Sequence, residues 1–112
     1  MNDSCLFCKI VAGDIPSDQV HANDAFIAFR DIAPKAETHV LVVPRRHDAN
    51  LDAWVAAGGS SDDLITFASE TAARLGVGGG YRLIANVGAD AGQEVFHLHL
   101  HLMAGSSLPG FG

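Results

Sequence analysis

Three histidines alternate with apolar residues near the end of the chain, in the segment Phe96-His97-Leu98-His99-Leu100-His101-Leu102. Successive side chains of a β-strand point to opposite faces, so the three imidazoles would share one face and the apolar residues, Phe96 included, the other. Neutral imidazole is the usual side chain for nucleophilic and acid–base chemistry near pH 7. The pattern therefore predicts a catalytic strand. The alternative is a partly exposed strand whose polar face happens to be histidine.

The spacing along a strand limits what the three histidines can do together. With a rise of about 3.3 Å per residue, neighbouring histidines stand about 6.6 Å apart and the outer two about 13 Å apart. Zinc–nitrogen bonds are only about 2.0–2.1 Å long. One metal ion can therefore bind at most one or two of them, which leaves imidazole available for chemistry.

Both cysteines of the chain lie three positions apart, as Cys5-Leu6-Phe7-Cys8. In a reducing compartment such a pair favours a metal or redox site over a structural disulfide, and it supplies half of a tetrahedral zinc site. The nitrogen ligands would come from the six histidines. Two alternatives stay open: a pair of buried reduced thiols, and a thioredoxin-like redox pair, for which the βαβ setting is missing.

Hydrophobic periodicity predicts the elements that must position these groups. Apolar residues from Leu64 to Leu75 recur every three or four positions, with Ser60 or Ser61 as a cap and Gly76 as a stop, and predict one longer helix. Short helices are predicted over residues 7–12 and 51–56, and strands over residues 18–22, 25–29, 38–43, 81–85 and 95–103. About five strands, mostly in hairpins, predict an α+β fold with a largely antiparallel sheet.

The size and charge of the chain exclude several classes of protein. Its 112 residues, 48% of them hydrophobic, suffice for one core, so we expect a single domain over residues 1–112. A net charge of −6 gives no electrostatic footprint for DNA. No apolar run approaches the ~20 residues of a membrane helix, and no secretory signal is visible. We expect a cytoplasmic protein with neither DNA nor membrane as a partner.

The histidine segment resembles the motif His-φ-His-φ-His-φ-φ, with φ apolar, of the histidine triad (HIT) family of nucleotide hydrolases and transferases. The likeness is greatest to the Hint branch, the purine nucleoside phosphoramidases, in its zinc-binding prokaryotic form. It implies a HIT-like α+β fold with one longer helix and short helices. Matching stretches run through nearly the whole chain: Phe7-Cys8-Lys9-Ile10, Asp14-Ile15-Pro16, Phe29-Arg30-Asp31-Ile32-Ala33-Pro34, Thr38-His39-Val40-Leu41-Val42-Val43-Pro44, Tyr81-Arg82-Leu83, Asn86-Val87-Gly88 and Gly92-Gln93.

The resemblance implies covalent catalysis. His99 would attack the α-phosphate of a purine nucleoside 5′-phosphoramidate or a related AMP- or GMP-type compound, and water would hydrolyse the nucleotidyl-histidine. His101 would contact phosphate and support proton transfer. The main-chain carbonyl of His97 would orient the other ring nitrogen of His99. His39 would lie near the site and contact the catalytic residues without contacting the substrate.

The expected nucleotide contacts follow from the same resemblance. Asp31 would bind the ribose hydroxyls, and apolar residues would flank the base. Glycines before the triad let backbone N–H groups approach an oxyanion, although an ordinary turn would need glycine there as well. The expected set is Ile15, Phe29, Asp31, Ile32, Asn86, Gly92, Gln93, Glu94, His99 and His101.

The resemblance also supplies the missing zinc ligands. In several prokaryotic HIT proteins the metal is held by a Cys-x2-Cys pair, a histidine after a Pro-basic-basic stretch, and the first triad histidine. The matching residues are Cys5, Cys8, His47 and His97. One structural Zn²⁺ per chain would tie the N-terminal helix to the catalytic strand and leave His99 free.

Two departures from the family pattern keep other functions open. Glu94 stands where animal phosphoramidases of this branch carry a hydroxyl residue that helps the leaving group, and residues 106–112 lack their Trp-Pro-Pro ending. The alternatives are a dinucleoside polyphosphate hydrolase and a non-catalytic nucleotide-binding regulatory protein. The resemblance further implies a homodimer that pairs through residues 64–75 and 81–85.

Overall fold

Five antiparallel strands form one sheet in the computed structural model, which describes residues 4–106 and 108–110. The strands are β1 (Gln19–Ala22), β2 (Phe26–Arg30), β3 (Thr38–Pro44), β4 (Arg82–Ile84) and β5 (Leu100–Ala104). Their order across the sheet is β1-β2-β3-β5-β4, and every neighbouring pair is antiparallel. The predicted α+β class and largely antiparallel sheet are confirmed.

Three α-helices accompany the sheet: α1 (Leu6–Val11), α2 (Leu51–Ala56) and the longer α3 (Ser61–Arg74). Polar caps fix where two of them begin. The Asn50 side chain accepts the Ala53 N–H, and the Ser60 hydroxyl accepts the Asp63 N–H. In the part of the chain that the structure describes, no helix is long and apolar enough to cross a membrane.

Strands β2 and β3 are buried on both faces of the sheet. Phe26 and Ala28 of β2 pack on the face that holds α3, whereas Ile27 and Phe29 pack on the opposite face with α1. Strand β3 alternates in the same way. Leu100 and Leu102 point to the α3 face, and His101, between them on β5, therefore faces the α1 side. The alternation places the His101 side chain on the side of the sheet that holds α1.

The strand predicted over residues 95–103 is shorter than expected at its start. Strand β5 begins at Leu100, which pairs with Val42 of β3. The next pair in this register would set Leu98 opposite Pro44, which has no N–H to donate. The Leu98 N–H donates instead to the Asp48 carbonyl. Phe96 is 50% exposed, so its predicted place on the buried face is wrong, while Leu98, Leu100 and Leu102 are buried as predicted.

Candidate active site and metal cluster

His99 is a buried, neutral imidazole with one ring nitrogen held by the backbone. Its Nδ1–H donates to the His97 carbonyl across 2.8 Å, which leaves the lone pair on Nε2. The side chain is only 9% exposed. Burial, the largest cause, lowers the pKa of His99 below its usual value, so the ring stays uncharged near pH 7. The Nε2 lone pair of a neutral imidazole in this arrangement can act as a nucleophile.

A backbone amide also determines where the protons lie on His39 and His101. The Lys35 N–H donates to His39 Nδ1 across 3.0 Å, so a neutral His39 carries its proton on Nε2. That Nε2–H donates to His101 Nδ1 across 2.9 Å, which leaves the proton of His101 on Nε2. Burial is the largest cause that lowers the pKa of His101, to about 4, so its ring is a neutral N–H donor at pH 7.

Asp31 lies beside His39 and His101, and the backbone holds one of its two carboxylate oxygens. Its Oδ1 accepts the Ala33 N–H at 2.8 Å, and its Oδ2 lies 3.5 Å from His39 Nε2. Asp31, His39 and His101 are close enough to share a metal ion. However, a metal on His39 Nε2 would displace the proton to Nδ1, which already faces the Lys35 N–H. The group is therefore a hydrogen-bonded chain.

The loop before the triad is held in shape by the Gln93 side chain. Gly88 and Gly92 adopt φ values of 86° and 90°, where a side chain is strained. The buried Gln93 amide accepts the Gly88 N–H at 2.8 Å and donates to the Ala49 and Val95 carbonyls at 2.7 and 3.1 Å. Sequence reasoning expected Gln93 only as a nucleotide contact. Its amide is occupied within the protein, a role that local sequence does not signal.

The other expected nucleotide-binding residues differ in exposure. Phe29 is buried and packs against Phe7 with ring centroids 5.6 Å apart, and the half-buried Ile15 joins the same apolar cluster. Ile32 is fully exposed, and Glu94 is also exposed. Asn86 is half-buried after the edge strand β4. Ile32 thus offers an uncovered apolar side chain next to Asp31.

The four predicted zinc ligands converge although they lie up to 92 residues apart. Their ligand atoms all stand within 4.8 Å of one another. Cys5 Sγ lies 3.3 Å from His97 Nδ1, Cys8 Sγ lies 3.4 Å from His47 Nδ1, and the two Nδ1 atoms are 3.2 Å apart. Around one tetrahedral zinc, with bonds of about 2.0–2.1 Å to nitrogen and 2.3 Å to sulfur, ligand atoms stand about 3.3–3.8 Å apart. The cluster fits a metal ion such as zinc.

Hydrogen bonds behind the ligands orient them toward the centre of the cluster. His97 Nε2–H donates to the Pro44 carbonyl at 2.8 Å, which leaves Nδ1 as the nitrogen that faces the cysteines. Cys5 Sγ caps α1 and accepts the Cys8 N–H at 3.3 Å. Cys5, Cys8 and His97 are buried, and His47 is half-buried. Four convergent ligands leave no open position, which is typical of a structural site.

The fold is α+β with an antiparallel sheet, and the middle one of three alternating histidines is held by the main-chain carbonyl of the first. These features define a histidine triad protein. The family model described as the HIT domain matches residues 12–108, and the chain belongs to that family.

Known relatives match over nearly their full length. The chain is 40% identical over 114 residues to a purine nucleoside phosphoramidase of Escherichia coli, and the alignment covers 96% of this chain and 92% of that protein. It is also 40% identical over 109 residues to an uncharacterized HIT-like protein of Synechococcus elongatus, with 96% of each covered. A histidine triad protein from Clostridium difficile has a TM-score of 0.87 at 36% identity and covers 100% of this chain and 99% of that one. A HIT family hydrolase from Legionella pneumophila has a TM-score of 0.82 at 39% identity, with 95% and 96% covered.

Proposed function

We propose that this protein hydrolyses purine nucleoside 5′-phosphoramidates or related adenylated compounds through a covalent intermediate on His99. The observation that carries the proposal is the 2.8 Å hydrogen bond from His99 Nδ1–H to the His97 carbonyl, which leaves Nε2 as a nucleophile. The 40% identity to a purine nucleoside phosphoramidase over nearly the whole chain supports the substrate class.

The reaction divides into two displacements at phosphorus. His99 Nε2 attacks the α-phosphorus, the Nε2–P bond forms as the P–N bond breaks, and the leaving amine takes a proton from solvent. Water then attacks the same phosphorus, the Nε2–P bond breaks, the nucleoside monophosphate leaves and the proton of water returns to solvent. The neutral His101 donates its Nε2–H to the phosphoryl group, where negative charge has to be stabilised.

The remaining pocket residues are assigned to the nucleotide. Gly92, Gln93 and Glu94 form the end of the loop that would meet the phosphate, and the Gly92 and Gln93 N–H groups stabilise that loop by donating to the Ala89 and Gly88 carbonyls. Ile32 is exposed and directly follows Asp31 in the chain, whereas the buried Phe29 and the half-buried Ile15 pack with residues of α1. These three apolar side chains would cover the base and ribose.

We also propose that the Cys5, Cys8, His47 and His97 cluster holds one Zn²⁺ per chain. Two thiolates and two imidazoles suit tetrahedral zinc over magnesium or calcium. When bound, the ion supplies a crosslink between α1 and the segment before β5, and no substrate position is left on it. Two free cysteines used as ligands suit a reducing compartment, which supports a cytoplasmic location.

A homodimer completes the proposal. Strand β4 lies at the edge of the sheet, with β5 on one side only. Beside it, Val55 is 58% exposed and Ile65 51% exposed. These two belong to an apolar depression, and a second copy could extend the sheet across β4 and cover it. The depression is lined by Leu51, Val55, Ser61, Leu64, Ile65, Leu83, Ala85 and Leu100.

The function is tested by release of AMP from adenosine 5′-phosphoramidate. We expect turnover by the wild type and at least a thousandfold loss in His99→Ala, because the nucleophile is gone. His21→Gln, which alters a histidine that stacks on Phe67 away from the triad, should keep the wild-type rate. Equal rates for wild type and His99→Ala would contradict the proposal.

The same assay separates the alternatives that Glu94 keeps open. A higher kcat/KM on a dinucleoside polyphosphate than on the phosphoramidate would assign the protein to polyphosphate hydrolysis. Tight AMP binding without turnover of either compound would assign it to a regulatory role.

A further inference from the structure

Phe7 lies between the two cysteines on α1 and packs directly against the candidate nucleophile. Its ring meets the His99 imidazole edge to face, with centroids 5.0 Å apart and planes at 87°. It also meets the His97 ring at 6.0 Å and 68°. The Phe7 side chain is 4% exposed. One buried ring thus touches both a candidate metal ligand and the residue proposed to attack phosphorus.

The hydrogen bond to the His97 carbonyl does not by itself fix the His99 ring. A single N–H···O contact restrains one atom, and the ring can still tilt about that contact. His101 restrains the ring on another side, with centroids 5.0 Å apart at 63°. Phe7 supplies the perpendicular contact that limits the tilt, and aromatic pairs prefer this edge-to-face arrangement. The direction of the His99 Nε2 lone pair therefore depends on where the Phe7 ring sits.

Phe7 is itself held in place from both sides along the chain. Cys5 caps α1, Cys8 lies in its first turn, and both sulfur atoms face His97 Nδ1 at 3.3 and 3.5 Å. The Phe29 ring closes the remaining side at 5.6 Å. The first turn of α1 thus has little freedom to carry Phe7 away from His99.

We propose that Phe7 is a positioning residue that holds the His99 imidazole in the orientation required for attack on phosphorus. The proposal deepens the proposed function and rests on it for the identity of the reaction. A misplaced nucleophile is costly, since an error of about 1 Å can cost on the order of a hundredfold in rate. Phe7 therefore contributes to the covalent step more than to nucleotide affinity.

The kinetic test uses Phe7→Leu and Phe7→Met, which keep apolar bulk without the ring. Rapid-mixing measurement of nucleotidyl transfer to His99 gives the rate of the covalent step, and equilibrium titration with AMP gives the affinity. We expect the rate to fall at least tenfold more than the affinity. The matched control is Ile10→Val, which trims a buried side chain of the same helix and should leave both values within twofold. Loss of rate and affinity in parallel, or an unchanged rate, would overturn the proposal.

A second readout needs no turnover. The ring N–H of His99 that donates to the His97 carbonyl can be followed by NMR of protein labelled with ¹⁵N-histidine. We expect this proton to exchange with water at least tenfold faster in Phe7→Leu than in wild type or Ile10→Val. Unchanged exchange would overturn the positioning role. Failure of wild type to form nucleotidyl-His99 would refute the proposed function, and the exchange measurement would still decide the role of Phe7.

Discussion

Backbone groups set the proton positions on the histidines around the site. The His97 carbonyl accepts the Nδ1–H of His99, the Pro44 carbonyl accepts the Nε2–H of His97, and the Lys35 N–H fixes the proton of His39 on Nε2. Because each of these partners belongs to the main chain, the tautomers do not depend on solvent. The result is a lone pair on His99 and an N–H donor on His101, which are the two groups that the proposed phosphoryl transfer needs.

The buried neutral state of His101 predicts a pH dependence of stability. Burial, the first cause, lowers the pKa of His101 in the folded protein to about 4, against an ordinary value of 6.5. Between these values the unfolded chain binds a proton that the folded chain does not, so the free energy of unfolding falls as pH falls from 6.5 towards 4.

Urea unfolding at pH 7.5 and pH 5.0 measures this effect. We expect wild type to lose more stability between the two pH values than His101→Asn, which has no imidazole to protonate at that position. The comparison needs metal-replete protein in both cases, because metal ligands also titrate. An equal or larger loss in the variant would contradict the burial of a neutral ring at position 101.

Local periodicity predicts most helices and strands to within a residue or two. Helix α2 begins and ends as predicted, and α3 starts directly after its predicted cap, Ser60. The last strand is the exception, because its start is set by the partner strand: the ladder stops near Pro44, and Leu98 pairs with Asp48 instead. Such an effect lies between segments distant in the chain, and periodicity carries no information about it.

The candidate site shows the same division between local and distant information. Alternation identified the three histidines, and a spacing of three identified the two cysteines as half of a zinc site. His47 and the Cys pair lie about forty residues apart, so their meeting follows from the sheet topology. In the sequence, only the family resemblance predicts that pairing. The sequence carries no signal for the hydrogen bonds of the Gln93 side chain within the protein, or for the contact between Phe7 and His99.

The proposed zinc site joins α1 to the segment before β5, so loss of the ion should weaken the fold. We expect the Cys5→Ser, Cys8→Ser double variant to lose the zinc measured by elemental analysis. Its melting temperature should fall by roughly 10 °C or more, since bound structural zinc adds several kcal/mol and each kcal/mol shifts a domain of this size by about 4–8 °C.

A chelator provides the control for the Cys5→Ser, Cys8→Ser double variant. It should lower the melting temperature of wild type and leave that of the double variant unchanged. Metal content and melting temperature that both survive the double substitution would show that the four residues are not the zinc ligands.

The edge strand β4 and the apolar depression beside it predict a dimer. We expect sedimentation at micromolar concentration to give about twice the 11.7 kDa of one chain. Ile65→Glu should shift the protein to a monomer, because a charge would be buried in the interface. Leu6→Glu, at an exposed apolar residue of α1, should remain dimeric. A wild-type mass near that of one chain would contradict the proposed assembly.

The mass of the intact protein shows whether His99 becomes covalently linked to the nucleotide. Wild-type protein is mixed rapidly with adenosine 5′-phosphoramidate, quenched within the first turnover and measured by mass spectrometry. We predict a mass increase of one adenylyl group, located at His99 by fragmentation, and no increase in His99→Ala. Turnover without any adduct, or an adduct on His101 or another residue, would contradict covalent catalysis by His99.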